Sequence, residues 1–178
     1  QPDYPSGNPV VDPTGPALGS SRVLRGGSWN LAGAALRSAK RNDAPPSSRN
    51  PGLGFRVGFQ FTGELSVDLN ASVKLDMLWV EPGTFTMGSP TTEAGRNADR
   101  EDEHNVTLTK GFYLGKYEVT QAQYEAVMTG NTDSLSVTPS QWPNNPNRPV
   151  ENVSWDDIQI FLTRLNAQQS ANIPAGWA

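Results

Sequence analysis

Gly111-Phe-Tyr-Leu-Gly-Lys-Tyr-Glu-Val-Thr120, followed by Gln121-Ala-Gln-Tyr-Glu-Ala-Val-Met128, decides how the second half of this chain folds. The stretch from Val106 to Val119 reads as two strands, interrupted near Lys110-Gly111. Thr120 and Gln123 then form a capping-box pair, which closes orphan N–H groups of a first helical turn. Ala122, Tyr124, Val127 and Met128 give that helix an apolar side. Downstream, residues 130–149 are rich in Asn, Pro and Ser and read as loop. Ser154 predicts a second helix N-cap, with Asp156 and Asp157 favourable to the helix dipole. Ile158, Phe161, Leu162 and Leu165 recur at i, i+3, i+4 and i+7, a core-facing stripe.

Upstream, residues 89–104 carry Glu93, Arg96, Asp99, Arg100, Glu101, Asp102, Glu103 and His104. Exposure is usual for charge, so a solvated loop is expected, with a carboxylate cation site as the alternative. Leu78-Trp-Val-Glu81, Pro82-Gly83 and Thr84-Phe-Thr-Met87 predict a hairpin or a strand with a bend. Residues 63–75 read as a polar connector. Phe55-Arg-Val-Gly-Phe-Gln-Phe61 alternates with the period of a half-buried strand. This strand is expected beside one within Leu78–Met87, antiparallel to it. Residues 30–54 read as mostly loop, Arg22–Arg25 as a short strand stopped by Gly26-Gly27, and residues 1–20 as irregular.

The 178 residues include 17 Gly, 15 Pro and no Cys, with a formal net charge of −4. Such a balance favours a loop-rich fold over a helical bundle. It offers no positive face for nucleic-acid phosphates. No apolar stretch is long enough to cross a bilayer. The missing cysteines remove disulfides, thiolate metal sites and cysteine nucleophiles together. Gln1 at the start, with no signal-peptide pattern, suggests a processed or excised piece. Asn70-Ala-Ser72, Asn105-Val-Thr107 and Asn152-Val-Ser154 match the glycosylation sequon, a motif short enough to arise by chance.

Two ordered sets of motifs carry a family resemblance. Arg22-Val-Leu-Arg-Gly-Gly-Ser-Trp29, Leu36-Arg-Ser-Ala-Lys-Arg41 and Gly54-Phe-Arg56 resemble the carboxy-terminal end of a formylglycine-generating-enzyme (sulfatase-modifying factor) domain. Trp79-Val-Glu-Pro-Gly-Thr-Phe-Thr-Met-Gly88, His104-Asn-Val106, Gly111–Thr120, Gln123-Tyr124 and Arg148-Pro-Val-Glu-Asn-Val-Ser-Trp155 resemble its amino-terminal end. The order is reversed and the family's middle section is missing. The chain therefore divides into residues 1–62, the end of one domain, a connector over 63–75, and residues 76–178, the beginning of another. A tandem-domain junction and a circular permutation both explain this.

The resemblance implies an α+β, C-type-lectin-like fold: a small twisted antiparallel sheet, two helices and long ordered loops. It implies family-motif roles for Arg25, Gly26, Gly27, Ser28, Arg37, Arg41, Gly54, Phe55 and Arg56. In the enzyme family a cysteine pair after the Arg-Gly-Gly-Ser motif binds copper and performs the oxidation. Here that stretch is Asn30-Leu-Ala-Gly-Ala-Ala-Leu36, without the soft thiolate that selects Cu(I). Copper is not supported and formylglycine formation by this chain alone is excluded. No catalytic residue and no metal ligand is assigned. Calcium stays open, because the family's calcium ligands lie largely in the missing middle. His104 reads as structural, Ser28 as a turn hydroxyl, and the four arginines as ion pairs that tie loops together, with anion binding the alternative.

The same frame resembles the variable region of lectin-like proteins diversified by retroelements. The interleaved positions would be Asn30, Leu31, Ala32, Ala35, Lys40, Asn42, Asp43, Ala44, Ser47, Ser48 and Asn50. The expected function is a non-catalytic binding module, extracytoplasmic or on a cell surface, for a small molecule, glycan or protein. The alternative is a fragment of a sulfatase-modifying enzyme whose catalytic part lies elsewhere. The expected contact face comprises Trp29, Asn30, Leu31, Lys40, Asn42, Asp43, Ser47 and Asn50. Replacing Lys40, Asn42 and Asp43 together by Ala is expected to weaken binding and leave the melting temperature nearly unchanged. A competing reading puts Trp29 in the core under the Gly-Gly turn. The missing middle is expected to leave apolar surface uncovered, with a homodimer as the outcome.

Overall fold

The computed structural model describes residues 9–15, 18–59 and 67–169. Strands run in the order β1 (Val10–Val11), β2 (Arg22–Arg25), β3 (Arg41–Ala44), β4 (Gly58–Phe59), β5 (Val67–Asp68), β6 (Lys74–Leu75), β7 (Met77–Val80), β8 (Gly83–Met87), β9 (His104–Leu108) and β10 (Phe112–Gly115). Helices α1 (Gln121–Met128) and α2 (Trp155–Gln168) follow. The chain is α+β, with two α-helices among the described residues and small, mainly antiparallel sheets.

Two compact units are interleaved along the chain. The first takes the described residues up to Pro46 together with Pro82–Lys110, and the second takes Ser47–Glu81 with the described residues from Gly111 on. This division by compactness is a different one from the linear division by family motif.

The first unit holds the sheet β1-β9-β8 and the pair β2-β3. In β9, Val106 is buried and pairs with Phe85 of β8 and Val10 of β1. Few apolar side chains are buried here besides Val106 and Ala39, and Ser89 and Glu101 are buried with them. Polar contacts must therefore hold much of this unit together.

The second unit holds the sheet β4-β10-β7, the β5-β6 pair and both helices. Its core joins Val57, Val119, Tyr124, Val127, Met128, Val150, Val153, Phe161 and Leu165, with Phe55, Ile158 and Leu162 packed at its edge. Both helix starts form where the sequence places them. Thr120 Oγ1 accepts from Gln123 N and Gln123 Oε1 from Thr120 N, and Ser154 and Asp157 repeat the reciprocal arrangement. The buried Tyr124 phenol is pushed up to about 12 by desolvation and the Asp157 charge, so it stays neutral.

Residues 50–57 and 115–152 meet in this unit. Val119 N donates to Phe55 O (2.8 Å), Gly115 N to Val57 O (2.8 Å), and Asn152 N to Asn50 O (3.0 Å). Gly54 lies so close to Val150 that a Cβ there would sit 2.8 Å from its carbonyl oxygen, which explains a glycine before Phe55.

Four expectations are corrected. The strands near Phe55 and Leu78 are not neighbours: β4 and β7 flank β10, each antiparallel to it. β10, apolar along Phe112-Tyr-Leu114, takes the central position; Gln60 and Phe61 lie outside the described residues. Of the hairpin and bent-strand alternatives for Leu78–Met87, the hairpin falls, since β7 pairs with β10 and β8 with β9. The stretch read as a polar connector contains the β5-β6 pair, whose Val67 and Leu75 are buried. A polar run hides a strand when only every second residue need be apolar. Within the stretch read as loop, β3 forms because β2 supplies its ladder.

Candidate binding face

Arg25 ends β2, and the backbone turns through Gly26 (φ +85°) and Gly27 (φ +74°), both left-handed. A Cβ at Gly27 would strike the Ala35 carbonyl and the Leu36 side chain. The turn thus demands glycine twice and delivers the next residues to the surface. Trp29 is 66% exposed, Leu31 47% and Leu36 49%. Trp29 is therefore not a core residue, and the reading that buried it under the turn is corrected. Ser28 Oγ donates to Asn30 Oδ1 (2.7 Å), a local turn contact. Arg25 reaches Ala39 O (3.4 Å) and Met87 Sδ (3.5 Å).

The loop behind these residues is anchored by charge. Arg37 Nη1 lies 2.8 Å from Glu93 Oε2 and 2.8 Å from Glu101 Oε2, and Arg37 Nη2 donates to Gly95 O (2.6 Å). Glu101 has no exposed surface. Its carboxylate also accepts from Asn97 N (3.2 Å) and Arg41 N (3.3 Å). Burial raises the Glu101 carboxyl, but the Arg37 hydrogen bond and the two amides outweigh it, and the group is held below its ordinary value. Glu93 is lowered as well, by the Ser89 hydroxyl and then Arg37. Within residues 89–104, Asp99, Asp102 and Glu103 are exposed as a solvated loop would have them, but Glu101 is turned inward and matched by Arg37. Among the described residues no group of three His, Cys, Asp or Glu side chains could hold a metal ion. Arg56 meets Glu118 at 3.5 Å, and Arg41 Nη1 donates to Arg100 O (3.3 Å).

The structure divides the predicted site residues. Trp29, Asn30, Leu31, Lys40, Asn42 and Asp43 belong to the first unit, Ser47 and Asn50 to the second. Asn50 Oδ1 is occupied by Gly52 N (2.9 Å). Asn42 is exposed and its neighbour Asp43 is not, because successive strand residues face opposite sides. Asp43 pairs with Arg100 at 2.9 Å and is lowered by that contact and by the Ser21 hydroxyl. Asp43 differs from Asn42 in having a charged partner, so Lys40, Asn42 and Asp43 are not equivalent rim positions: removing Asp43 strips Arg100 of this contact. The buried Glu101 and the pairing of Arg49 with Asp157 (2.5 and 2.6 Å) were not foreseen. Their partners are 64 and 108 residues apart, and no local pattern announces such pairs.

The carboxylates Asp12, Asp43, Glu93, Glu101 and Asp157 are all lowered, Asp12 by Thr109. A lowered folded pKa means that the unfolded chain binds protons first. The stabilisation is then complete above the unfolded carboxylate value of about 4 and is lost as pH falls through the folded values. Thermal melts should be flat from neutrality to about pH 5 and fall steeply below about pH 4. A melting temperature unchanged down to about pH 3 would contradict this assignment.

Residues 66–173 match the family model for the sulfatase-modifying factor enzyme 1-like domain, named FGE-sulfatase. The chain belongs to the FGE-sulfatase family. Two curated relatives are similar to it. The chaperone protein LppX of Paenibacillus barcinonensis is 40% identical over 101 residues, covering 57% of this chain and 30% of the relative. The formylglycine-generating enzyme of Streptomyces coelicolor is 43% identical over 58 residues, covering 31% and 18%. The chain thus spans less than a third of either relative. Among solved structures, PvdO from Pseudomonas aeruginosa superposes with a TM-score of 0.50 at 23% identity, over 60% of this chain and 44% of PvdO. That likeness establishes a shared FGE-like fold. No helix among the described residues is long and apolar enough to cross a membrane.

The loop after Arg25-Gly-Gly-Ser28 offers Asn, Ala, Gly and Leu, and the chain has no thiol to ligate Cu(I). Ser28 has an amide oxygen as partner, not a base.

Proposed function

We propose that this FGE-sulfatase domain is a non-catalytic binding module whose contact face is the Gly-Gly turn loop and whose occupant is an unfolded or apolar protein segment. The observation that carries the reading is the exposure of Trp29, Leu31 and Leu36 on a loop anchored by the buried Arg37–Glu101 pair. Large apolar side chains at a surface cost solvation, and they concentrate where a partner covers them. An anchored loop loses little further entropy on binding. The 40% identical relative is named a chaperone, which supports a protein over a small molecule or glycan. A homodimer through other exposed apolar residues, such as Leu78 and Tyr117, is compatible with this role. The reversed family motifs fit a permuted domain, because residues 50–57 bond to 115–152 within the chain.

The reading is tested by light scattering of a thermally unfolding client enzyme with increasing amounts of the chain. Near-stoichiometric suppression of aggregation is expected. Trp29→Ser with Leu31→Ser should reduce it at least about tenfold, as hot-spot losses above about 1.4 kcal/mol do, while the variant's own melting temperature holds. No suppression by the unsubstituted chain, or equal suppression by the double variant, would refute the face.

A further inference from the structure

Three sequons lie in the chain, and the fold treats them differently. Asn152 has a left-handed backbone (φ +66°), its Nδ2 donates to Pro139 O (3.1 Å), and Ser154, its hydroxyl partner in the sequon, is buried as the cap of α2. Asn105 lies in β9, the central strand of its sheet, bonded on both sides, and the Thr107 hydroxyl is shared with Thr84 (2.8 Å). Asn152 cannot present amide and hydroxyl together without unfolding; Asn105 is exposed, but β9 holds it extended and its carboxamide oxygen accepts from Thr86 Oγ1 (3.3 Å) instead of from the donors of its own sequon. Asn70-Ala-Ser72 is different. It forms the exposed tip between β5 and β6, whose Val67 and Leu75 point into the core. Asn70 Oδ1 accepts from Ser72 N (2.9 Å), Ser72 Oγ (3.2 Å) and Val73 N (2.9 Å). Three donors on the carboxamide oxygen draw electron density from the nitrogen and ease loss of its proton. Among the described residues none accepts from Asn70 Nδ2.

We infer that Asn70 is an N-glycosylation site of the folded protein, taking an oligosaccharide from a donor activated as a lipid-linked pyrophosphate. The Asn70 Nδ2–C1 bond forms as the C1–O bond to the pyrophosphate breaks. The lipid pyrophosphate leaves with the bonding pair, and one amide proton passes to a carboxylate base of the transferase. The inference requires that the chain meet the transferase outside the cytoplasm. It does not depend on the Trp29 face. A glycan at this tip stands on the side of the hairpin away from the core, so packing of Val67 and Leu75 is undisturbed.

The test incubates the folded chain with an oligosaccharyltransferase, active on a reference acceptor, and its lipid-linked donor, and reads intact mass and glycopeptides. One glycan on Asn70 is expected. Ser72→Ala should abolish it, Ser72→Thr should keep it, and Asn105→Gln or Asn152→Gln should leave it unchanged. Circular dichroism of Ser72→Ala checks that it remains folded. No transfer to the folded chain, or transfer to Asn105 or Asn152 at a comparable level, would overturn the assignment.

Discussion

Replacing Phe161 by alanine is expected to remove about 3–5 kcal/mol of stability, a large share of what a domain of this size has. The Phe161 ring has no exposed surface. It stacks on Tyr124 at a centroid distance of 5.6 Å and 7° between planes, and meets Phe55 edge-on at 5.1 Å and 78°. The three rings come from α2, α1 and the Gly-Phe-Arg motif, so one truncation leaves a cavity bordered by three segments. Two of these are helices and cannot close in without breaking their own packing. Chemical denaturation of the variant should show the midpoint falling with little change in slope. A loss under about 1 kcal/mol would mean that the three segments do not share one core.

Arg49→Ala is the second large effect. Arg49 grips the Asp157 carboxylate with Nε (2.6 Å) and Nη2 (2.5 Å), while Asp157 also accepts Ser154 N (2.9 Å) at the start of α2. Asp157 is buried and Arg49 half exposed. Removing the arginine therefore strands a buried charge, whereas removing the aspartate leaves a cation that can turn to water. The cost of Arg49→Ala should be about 3 kcal/mol, the low end for a broken buried pair, since the helix cap still holds the carboxylate. The pH dependence carries the proof. In the intact chain burial raises Asp157, and Arg49 with Ser154 more than offset it, so the group is lowered. Without Arg49 the burial effect is left, the folded pKa rises, and protonation relieves the variant. Its deficit should be largest at neutral pH and shrink below about pH 4. Adding Asp157→Asn should restore part of the loss. A deficit independent of pH would mean that Arg49 acts through packing alone.

Much of the second unit could be read from the sequence. Thr120 with Gln123 and Ser154 with Asp157 are local signals, decided within one helical turn, and Phe161 and Leu165 lie one turn apart on a single face. Register between distant segments was not legible. The alternating face at Phe55–Phe59 says that a strand forms, not that β10 is the strand it pairs with. The polar run from Val67 to Leu75 conceals two core residues because its turn residues dominate the composition. At the proposed face the Gly26-Gly27 turn was legible from its two glycines, but the sequence left Trp29 open between surface and core, and its exposure is decided by the fold. The support of that face was not legible. A charged loop with Glu101 in it reads as solvated until the chain brings Arg37 beside that carboxylate. Asp43, placed in the contact rim by sequence position, instead holds Arg100.

The chain keeps the FGE-like fold and carries no cysteine, and the proposed non-catalytic reading is tested most directly by mass spectrometry of a sulfatase-type cysteine peptide. The peptide is incubated with the chain, oxygen and added copper, beside a sample without protein. The cysteine should be recovered with no formylglycine above that control, since these 178 residues include no cysteine to ligate Cu(I). Formylglycine in excess of the control, growing with protein concentration, would contradict the account and place an oxidising site in this chain.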